Sequence, residues 1–255
     1  MRVTILGCGG SAGVPVIGQV WGACNPQNPR NTRTRSSVLV EKDGAALLVD
    51  TPPELRLQLL TVGVQRIDAV LYTHSHADHA HGIDDLREVC RMMGGGPLDV
   101  FADAPALADL QQRFGYCFKP LEPEAPLYRP VLTPHLIDGP FSVGAIDVVP
   151  FAQDHGYSTT LGFRFGAFAY STDVWQLDRT AFSILEGVEV WVVDCVREDP
   201  HPVHSHLEQS LEWIARVKPR QAFLTHMNQT MDYDTLCRQL PCGVAPAYDG
   251  LVIDL

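Results

Sequence analysis

The chain is short of several things that would direct its reading elsewhere. Its seven cysteines, Cys8, Cys24, Cys90, Cys117, Cys195, Cys237 and Cys242, are odd in number and include no CxxC pair. That favours reduced thiols in a cytoplasm over a disulfide framework. No run of about 18 apolar residues is available to span a bilayer, and MRVTILGCGG has neither a basic n-region nor a cleavage site. The expectation is a cytoplasmic protein that is neither membrane-bound nor exported. Basic residues are scarce, 19 against 30 acidic ones, for a formal net charge of −11. Such a chain carries no general field to attract a polyanion, so a long nucleic acid is a poor partner, although a local basic patch can hold a small phosphate.

With 255 residues and 45% hydrophobic content, one large core can be buried, and a single domain over residues 1–255 is expected. VTIL (3–6) reads as a strand running into the glycine-rich turn GCGGSAGVP (7–15). Residues 16–35 are rich in Gly, Pro, Asn and Arg and read as a long ordered loop, uncommon unless functional. SSVLVEK and AALLVD flank Asp43-Gly44 as a hairpin, PPELRLQLLTVG reads as a short helix, and IDDLREVCRMM reads as another, stopping at Gly94. Residues 117–140, rich in proline, read as connector. Strand candidates then follow at IDVVPF, TLGFRF, FAYS, EVWVVD, QAFLT and LVID, with helices over LEQSLEWIARV and near DYDTLCRQL. Strand-rich segments alternate with helices twice, which suggests an α/β sheet sandwich covered by helices.

The richest chemistry lies in YTHSHADHAHG (72–82), four histidines and an aspartate in one loop. His74 and His76 are two apart, so in an extended segment they share a face and can reach one metal. Asp78 and His79 point elsewhere, which calls for a second metal nearby. Further ligand candidates each follow an apolar strand candidate: His155 in FAQDHG, Asp173 in AYSTDV and His226 in FLTH. Open strand ends are where α/β and sandwich enzymes place their sites, and a carboxylate such as Asp173 can bridge two cations. An internal echo supports this grouping, because DAVLYTH (68–74) and RQAFLTH (220–226) are both apolar strands ending in Thr-His.

These residues, in this order, resemble the metallo-β-lactamase-fold hydrolases over nearly the whole chain. The resemblance implies a four-layer αβ/βα sandwich, with one metal held by His74, His76 and His155, a second by Asp78, His79 and His226, and Asp173 between them. The opening LGCGGSAGVP, HSHLEQSL, KPRQAFLTHM and AYDGL are similar to the branch containing tRNA 3′-processing ribonucleases and a phosphoribosyl cyclic phosphate phosphodiesterase. In that branch a histidine before the penultimate helix assists catalysis; alignment on Leu207 and Leu211 puts the role on His204, with His206 as the alternative. That phosphodiesterase also has a structural zinc, and with only Cys24 in WGACNPQNPR and Gln229 at the later position, none is expected here. No basic tRNA-gripping arm is visible, which demotes tRNA processing.

The implied activity is a dinuclear hydrolase, foremost a phosphodiesterase in which a hydroxide shared by two cations attacks phosphorus in line while His204 protonates the leaving alkoxide. Asp78 and His204 are the catalytic candidates. The alternatives are a ribonuclease, a thiolesterase or lactonase on the same site, or a non-catalytic metal carrier. All candidate ligands are nitrogen or oxygen, which suits two divalent ions of zinc, manganese or iron. The expected partners are a small phosphodiester or nucleotide-like substrate and a possible second copy of the chain as a homodimer.

Other polar residues receive plainer expectations. His81 is expected to lead the next helix rather than to bind metal, and His135 and His201 to be ordinary surface residues in loops. Asp50 either orients the HxHxDH loop or simply ends a strand. Arg30, Arg33 and Arg35 either bind phosphate or stabilise an irregular loop. The glycines of GCGGSAGVP either present N–H groups to an anion or form a tight turn. Cys195 is expected to be buried rather than reactive.

Overall fold

The computed structural model describes residues 1–120 and 128–255. Its strands are β1 (Arg2–Gly7), β2 (Ser37–Lys42), β3 (Ala45–Val49), β4 (Ala69–Leu71), β5 (Leu98–Ala102), β6 (Leu132–Leu136), β7 (Phe141–Val143), β8 (Ile146–Asp154), β9 (Thr159–Phe165), β10 (Phe168–Ser171), β11 (Val190–Asp194), β12 (Gln221–Thr225), β13 (Val244–Pro246) and β14 (Val252–Asp254). They form two seven-stranded sheets, ordered β14-β1-β2-β3-β4-β5-β6 and β13-β12-β11-β10-β9-β8-β7. Each sheet is antiparallel on one side and parallel on the other, from β3 to β6 in the first and from β10 to β13 in the second.

The helices are α1 (Leu55–Val62), α2 (Ala77–Ala80), α3 (Leu86–Met92), α4 (Ala104–Arg113), α5 (Arg179–Leu185), α6 (Leu207–Val217) and α7 (Tyr233–Gln239). Side-chain alternation along the strands builds the layers. In the first sheet, Val3, Ile5, Val38, Val40, Leu47, Val49 and Leu71 face the core between the sheets. Their neighbours Leu6, Leu39, Leu48 and Val70 face the other way, packing with Leu55 of α1, Leu86 and Val89 of α3, and Leu110 of α4. Every residue of β11 is buried, since Trp213 and Ile214 of α6 and Leu185 of α5 cover the outer face of the second sheet. The result is helix, sheet, sheet, helix: the metallo-β-lactamase αβ/βα sandwich. Among the described residues, no helix is long and apolar enough to cross a membrane.

Several elements depart from the sequence reading. The segment 117–140 is not simply connector: a 3-10 turn covers Gly115–Phe118 and β6 covers Leu132–Leu136, while residues 121–127 lie outside the described residues. Pro134 obscured β6, and it is tolerated because β6 is an edge strand. β5, β7, β13, α4 and α5 also went unread; α4 and α5 announce themselves by aspartate caps, Asp103 accepting from Ala106 N and Asp178 from Ala181 N.

Candidate metal centre

The candidate ligands sit where strands end. Asp50 follows β3, His74 follows β4, His155 follows β8, Asp173 follows β10, Asp194 closes β11 and His226 follows β12. Three of these turns need a left-handed backbone on a residue with a side chain: φ is 64° at Asp50, 52° at Asp173 and 58° at His226. Such conformations persist only where the surroundings over-determine them, and they gather at functional sites. Asp78 and His79 are not on extended chain but on the single turn α2, which separates them from His74 and His76.

The side chains converge in three groups able to hold an ion: His74, His76, His155 and Asp173 in the first, Asp78, His79, Asp173 and His226 in the second, and Asp194, His204 and His226 in the third. Asp173 divides its oxygens between the first two. Its Oδ2 lies 3.7 Å from Nε2 of both His74 and His155, and its Oδ1 lies 3.0 Å from His79 Nε2 and 3.3 Å from His226 Nε2. Asp78 Oδ2 stands 3.4 Å from His79 Nε2 and 3.5 Å from His226 Nε2. The seven residues of the first two groups are the ones expected from the sequence, and the third group adds Asp194 and His204.

Outer hydrogen bonds aim the rings. His79 Nδ1 donates to Asp50 Oδ2 at 2.8 Å, His155 Nδ1 donates to Val203 O at 2.7 Å, and His74 Nδ1 donates to Thr73 Oγ1 at 2.9 Å, because that hydroxyl itself donates to Asp50 Oδ2. Each bond commits Nδ1 and turns Nε2 toward the cluster. Asp50 therefore orients the loop rather than merely ending a strand. In the second group, Asp78 Oδ2, His79 Nε2 and His226 Nε2 are buried with no hydrogen-bond partner. Buried polar atoms are ordinarily paired, so a nitrogen and oxygen set left open toward one point fits a divalent cation.

The charges balance inside the cluster. Burial opposes ionisation of Asp173, yet His226, His79 and His74 hold it well below the usual carboxylate range. Asp78 is lowered likewise, burial opposing and His79 and His226 prevailing. Burial would lower His79, but Asp173, Asp78 and Asp50 raise it well above an ordinary histidine. His74 is depressed by burial and by His79.

His204 belongs to the same cluster. Its Nδ1 lies 3.1 Å from Asp194 Oδ2, its Nε2 lies 3.9 Å from Asp173 Oδ2, and its ring stacks on His226 at 4.7 Å and 19°. Burial would lower its pKa, but the Asp194 carboxylate raises it to about 9. His206 caps α6 and joins none of the ion-holding groups among the described residues.

The sequence reading missed Asp194. It accepts from Val174 N and from His204 on Oδ2, and its Oδ1 faces His226 Nδ1 at 3.7 Å. The signal was available: EVWVVD ends in a strand-end aspartate as AALLVD does. Also missed was the anchoring of the loop by α4, where Ser75 Oγ donates to Asp109 Oδ2 at 2.6 Å and Arg113 bonds both Asp109 and Ser75 O.

The plainer readings need several corrections. His201 is no ordinary surface residue: it is half-buried, with its ring 5.0 Å from that of His204. His135 is half-buried on β6, 2.8 Å from Asp99, rather than in a loop. His81 follows α2 as its C-cap instead of leading a helix, and it is in none of the three groups. The arginines brace the loop. Arg33, 2% exposed, donates to Met231 O at 2.6 Å and to Asn31 Oδ1. Arg35 pairs with Glu54, and Arg30 bonds Tyr233 and lies over the Tyr233 and Tyr248 rings. The N–H groups of Gly9, Gly10 and Gly13 are taken by Thr34 O, Met227 O and Gly10 O, so those glycines make a turn rather than an anion cradle. Cys195 is fully buried and burial raises its thiol pKa.

Known proteins resemble this arrangement. A crystal structure described as a new diphosphatase from the PhnP family is 33% identical, with a TM-score of 0.91, covering 99% of this chain and 97% of that one. An octanoyltransferase of Porphyromonas gingivalis is 32% identical over 255 residues, 98% of this chain but 51% of the relative. A ribonuclease Z of a Bradyrhizobium species is 29% identical over 144 residues, 54% of this chain and 46% of the relative. The chain spans about half the length of these two curated relatives. Residues 46–227 match the Beta-lactamase superfamily domain, a stretch that holds every residue of the three ion-holding groups, and the chain belongs to that superfamily.

Proposed function

We propose that residues 1–255 act as one hydrolase domain that uses two divalent cations, zinc, manganese or iron, to cleave a small or cyclic phosphodiester. The observation that carries this reading is the placing of His204, held by Asp194, beside a carboxylate that faces two donor groups at once. His74, His76 and His155 would hold one cation and Asp78, His79 and His226 the other, with Asp173 shared. Cations so placed supply an activated water and neutralise charge developing on phosphoryl oxygens.

The chain's own groups do the rest. Asp78 stays ionised and offers an acceptor to the attacking water. His204 carries a proton at neutral pH and delivers it from Nε2 to the departing alkoxide. Asp194 holds the His204 ring in place during that transfer and stabilises its charged form. The net charge of −11 favours a small substrate over a long nucleic acid, against a ribonuclease. A diphosphate linkage is the second reading, supported by the similarity to a diphosphatase across nearly the whole of both chains.

The test is a substrate panel with metal-loaded protein: bis-p-nitrophenyl phosphate, cyclic nucleotides, a nucleoside diphosphate, a thioester and a lactone. Turnover of phosphodiesters that disappears in Asp78→Ala supports the reading. Efficient cleavage of thioester or lactone with none of the phosphate esters overturns it, and preference for the diphosphate selects the second reading.

A further inference from the structure

The strap from Arg197 to His206, between β11 and α6, does three things at the site. Val203 O fixes the His155 ring, His204 enters the cluster, and His201 lies against His204 with ring centroids 5.0 Å apart at 56°. His226 stacks on His204 at 19° and His155 meets it edge-on at 4.7 Å. His201 is thus the outermost ring of the group, half-buried where the others are buried.

The hydrogen bonding of His201 sets its tautomer. Val203 N donates to His201 Nδ1 at 3.4 Å. A nitrogen that accepts cannot carry the proton, so the ring is neutral and its N–H is on Nε2. Burial, then the neighbouring His204, pushes its pKa down to about 4, in keeping with a neutral ring. Among the described residues Nε2 has no hydrogen-bond partner and is not among the buried orphans. The chain therefore presents a neutral donor beside His204, the histidine that the proposed function turns toward the leaving group.

We infer that His201 is a substrate-contacting residue whose Nε2–H donates to a hydroxyl or ether oxygen on the leaving group, selecting sugar- or nucleoside-bearing phosphates over simple aryl or alkyl ones. The inference rests on the phosphodiesterase reading for its orientation, since the side of the substrate facing His204 is taken as the departing one. A neutral hydrogen bond of this kind is worth about 1 kcal/mol, which corresponds to roughly a fivefold effect on affinity.

Binding separates this contact from turnover. The metal-loaded wild type, His201→Phe and His201→Gln are titrated calorimetrically with inorganic phosphate and with adenosine 3′-monophosphate. Phe keeps the ring packing without the donor, and Gln keeps a donor. The expected result is unchanged phosphate affinity in all three, adenosine 3′-monophosphate bound about fivefold more weakly by His201→Phe, and recovery in His201→Gln. Equal loss of both ligands, loss of neither, or a wild type that binds the nucleotide no better than phosphate overturns the inference. If the binding split is present but the wild type cleaves no phosphodiester, the contact stands and the catalytic reading falls. Matching thermal melts for the three proteins exclude misfolding as the cause.

Discussion

The two halves of the site are built alike and used differently. In the first sheet, β3 is followed by Asp50 and the adjacent β4 leads to Thr73-His74. In the second, β11 ends in Asp194 and the adjacent β12 leads to Thr225-His226. Asp50 spends both oxygens on one loop, accepting from Thr73 N and Thr73 Oγ1 at 2.8 and 2.9 Å and from His79 at 2.8 Å. Asp194 divides itself, with Oδ2 on Val174 N and His204 and Oδ1 loosely on His226. One buried carboxylate grips candidate ligands; the other links a candidate ligand, His226, to His204. The same strand-end device holds a loop in one half and, on the proposed function, positions the acid in the other.

Asp50→Ala breaks the gripping half and is expected to have the largest effect. It leaves His79 Nδ1 and Thr73 N unpaired in a site where both residues are fully buried, at a cost of about 3 to 5 kcal/mol. Metal affinity should also fall by about 10- to 100-fold. Elemental analysis and chemical denaturation read both, and full metal occupancy at wild-type stability would show the grip to be dispensable.

Asp194→Asn attacks the linking half, where the expected pattern is the reverse. Metal content stays near that of the wild type while kcat falls by about 10²- to 10⁴-fold for substrates with poor leaving groups. Good leaving groups should restore much of the rate, as they should for His204→Ala. Equal losses across leaving groups would remove the acid role and make the two halves equivalent.

Asp249→Asn sharpens the contrast by testing a buried carboxylate outside both halves. Asp249 accepts from Cys8 N and Sγ and from Thr34 N and Oγ1, yet burial raises its pKa to about 6. A carboxyl raised in the folded state contributes stability that is full below its unfolded pKa near 4 and is lost as pH rises through about 6. The stability of the wild type relative to Asp249→Asn should therefore fall by about 3 kcal/mol between pH 3.5 and 7. Paired denaturation curves across that range check the sign; a constant difference would contradict it.

The smallest effect is expected from Gly10→Ala. A Cβ there would meet His226 O at 3.1 Å and the His226 ring at 3.6 Å, so His226 must yield by a few tenths of an ångström. A few-fold loss of activity at wild-type stability is expected, because His226 and its partner His204 move while Asp50 and His79 do not. A change in His79 resonances rather than those of His204, followed by histidine-selective NMR, would show that the halves are not separable.

Much of this was legible because the ligands are dense and periodic. HxHxDH and the two Thr-His strand ends placed five of the seven ligand candidates near a common edge, and His155 and Asp173 followed from the strands before them. The outer residues were harder. Asp194 looks like any strand-end aspartate until β11 and β12 are known to be neighbours, and the role of a carboxylate depends on what the next strand brings to it. His201 sits among prolines, and only the return of the strap over His155 turns it toward His204. Arg33 is a further case, since nothing local reveals that its guanidinium will be buried against Asn228 and Met231.

That burial has a consequence in time. Arg33 bonds residue 231 across 198 positions, Asn31 bonds Asp232 across 201 and Thr34 bonds Asp249 across 215. During synthesis the loop has to wait, unsupported, for most of the remaining chain before it can close over the second half of the site. Contacts of such sequence separation form late and slowly, so strand pairing can proceed well before the loop around Arg33 is fastened. A chain stalled before residue 228 would present assembled sheet and exposed loop together, which makes this seam the interval in which the nascent protein is most vulnerable to proteases and to mispairing.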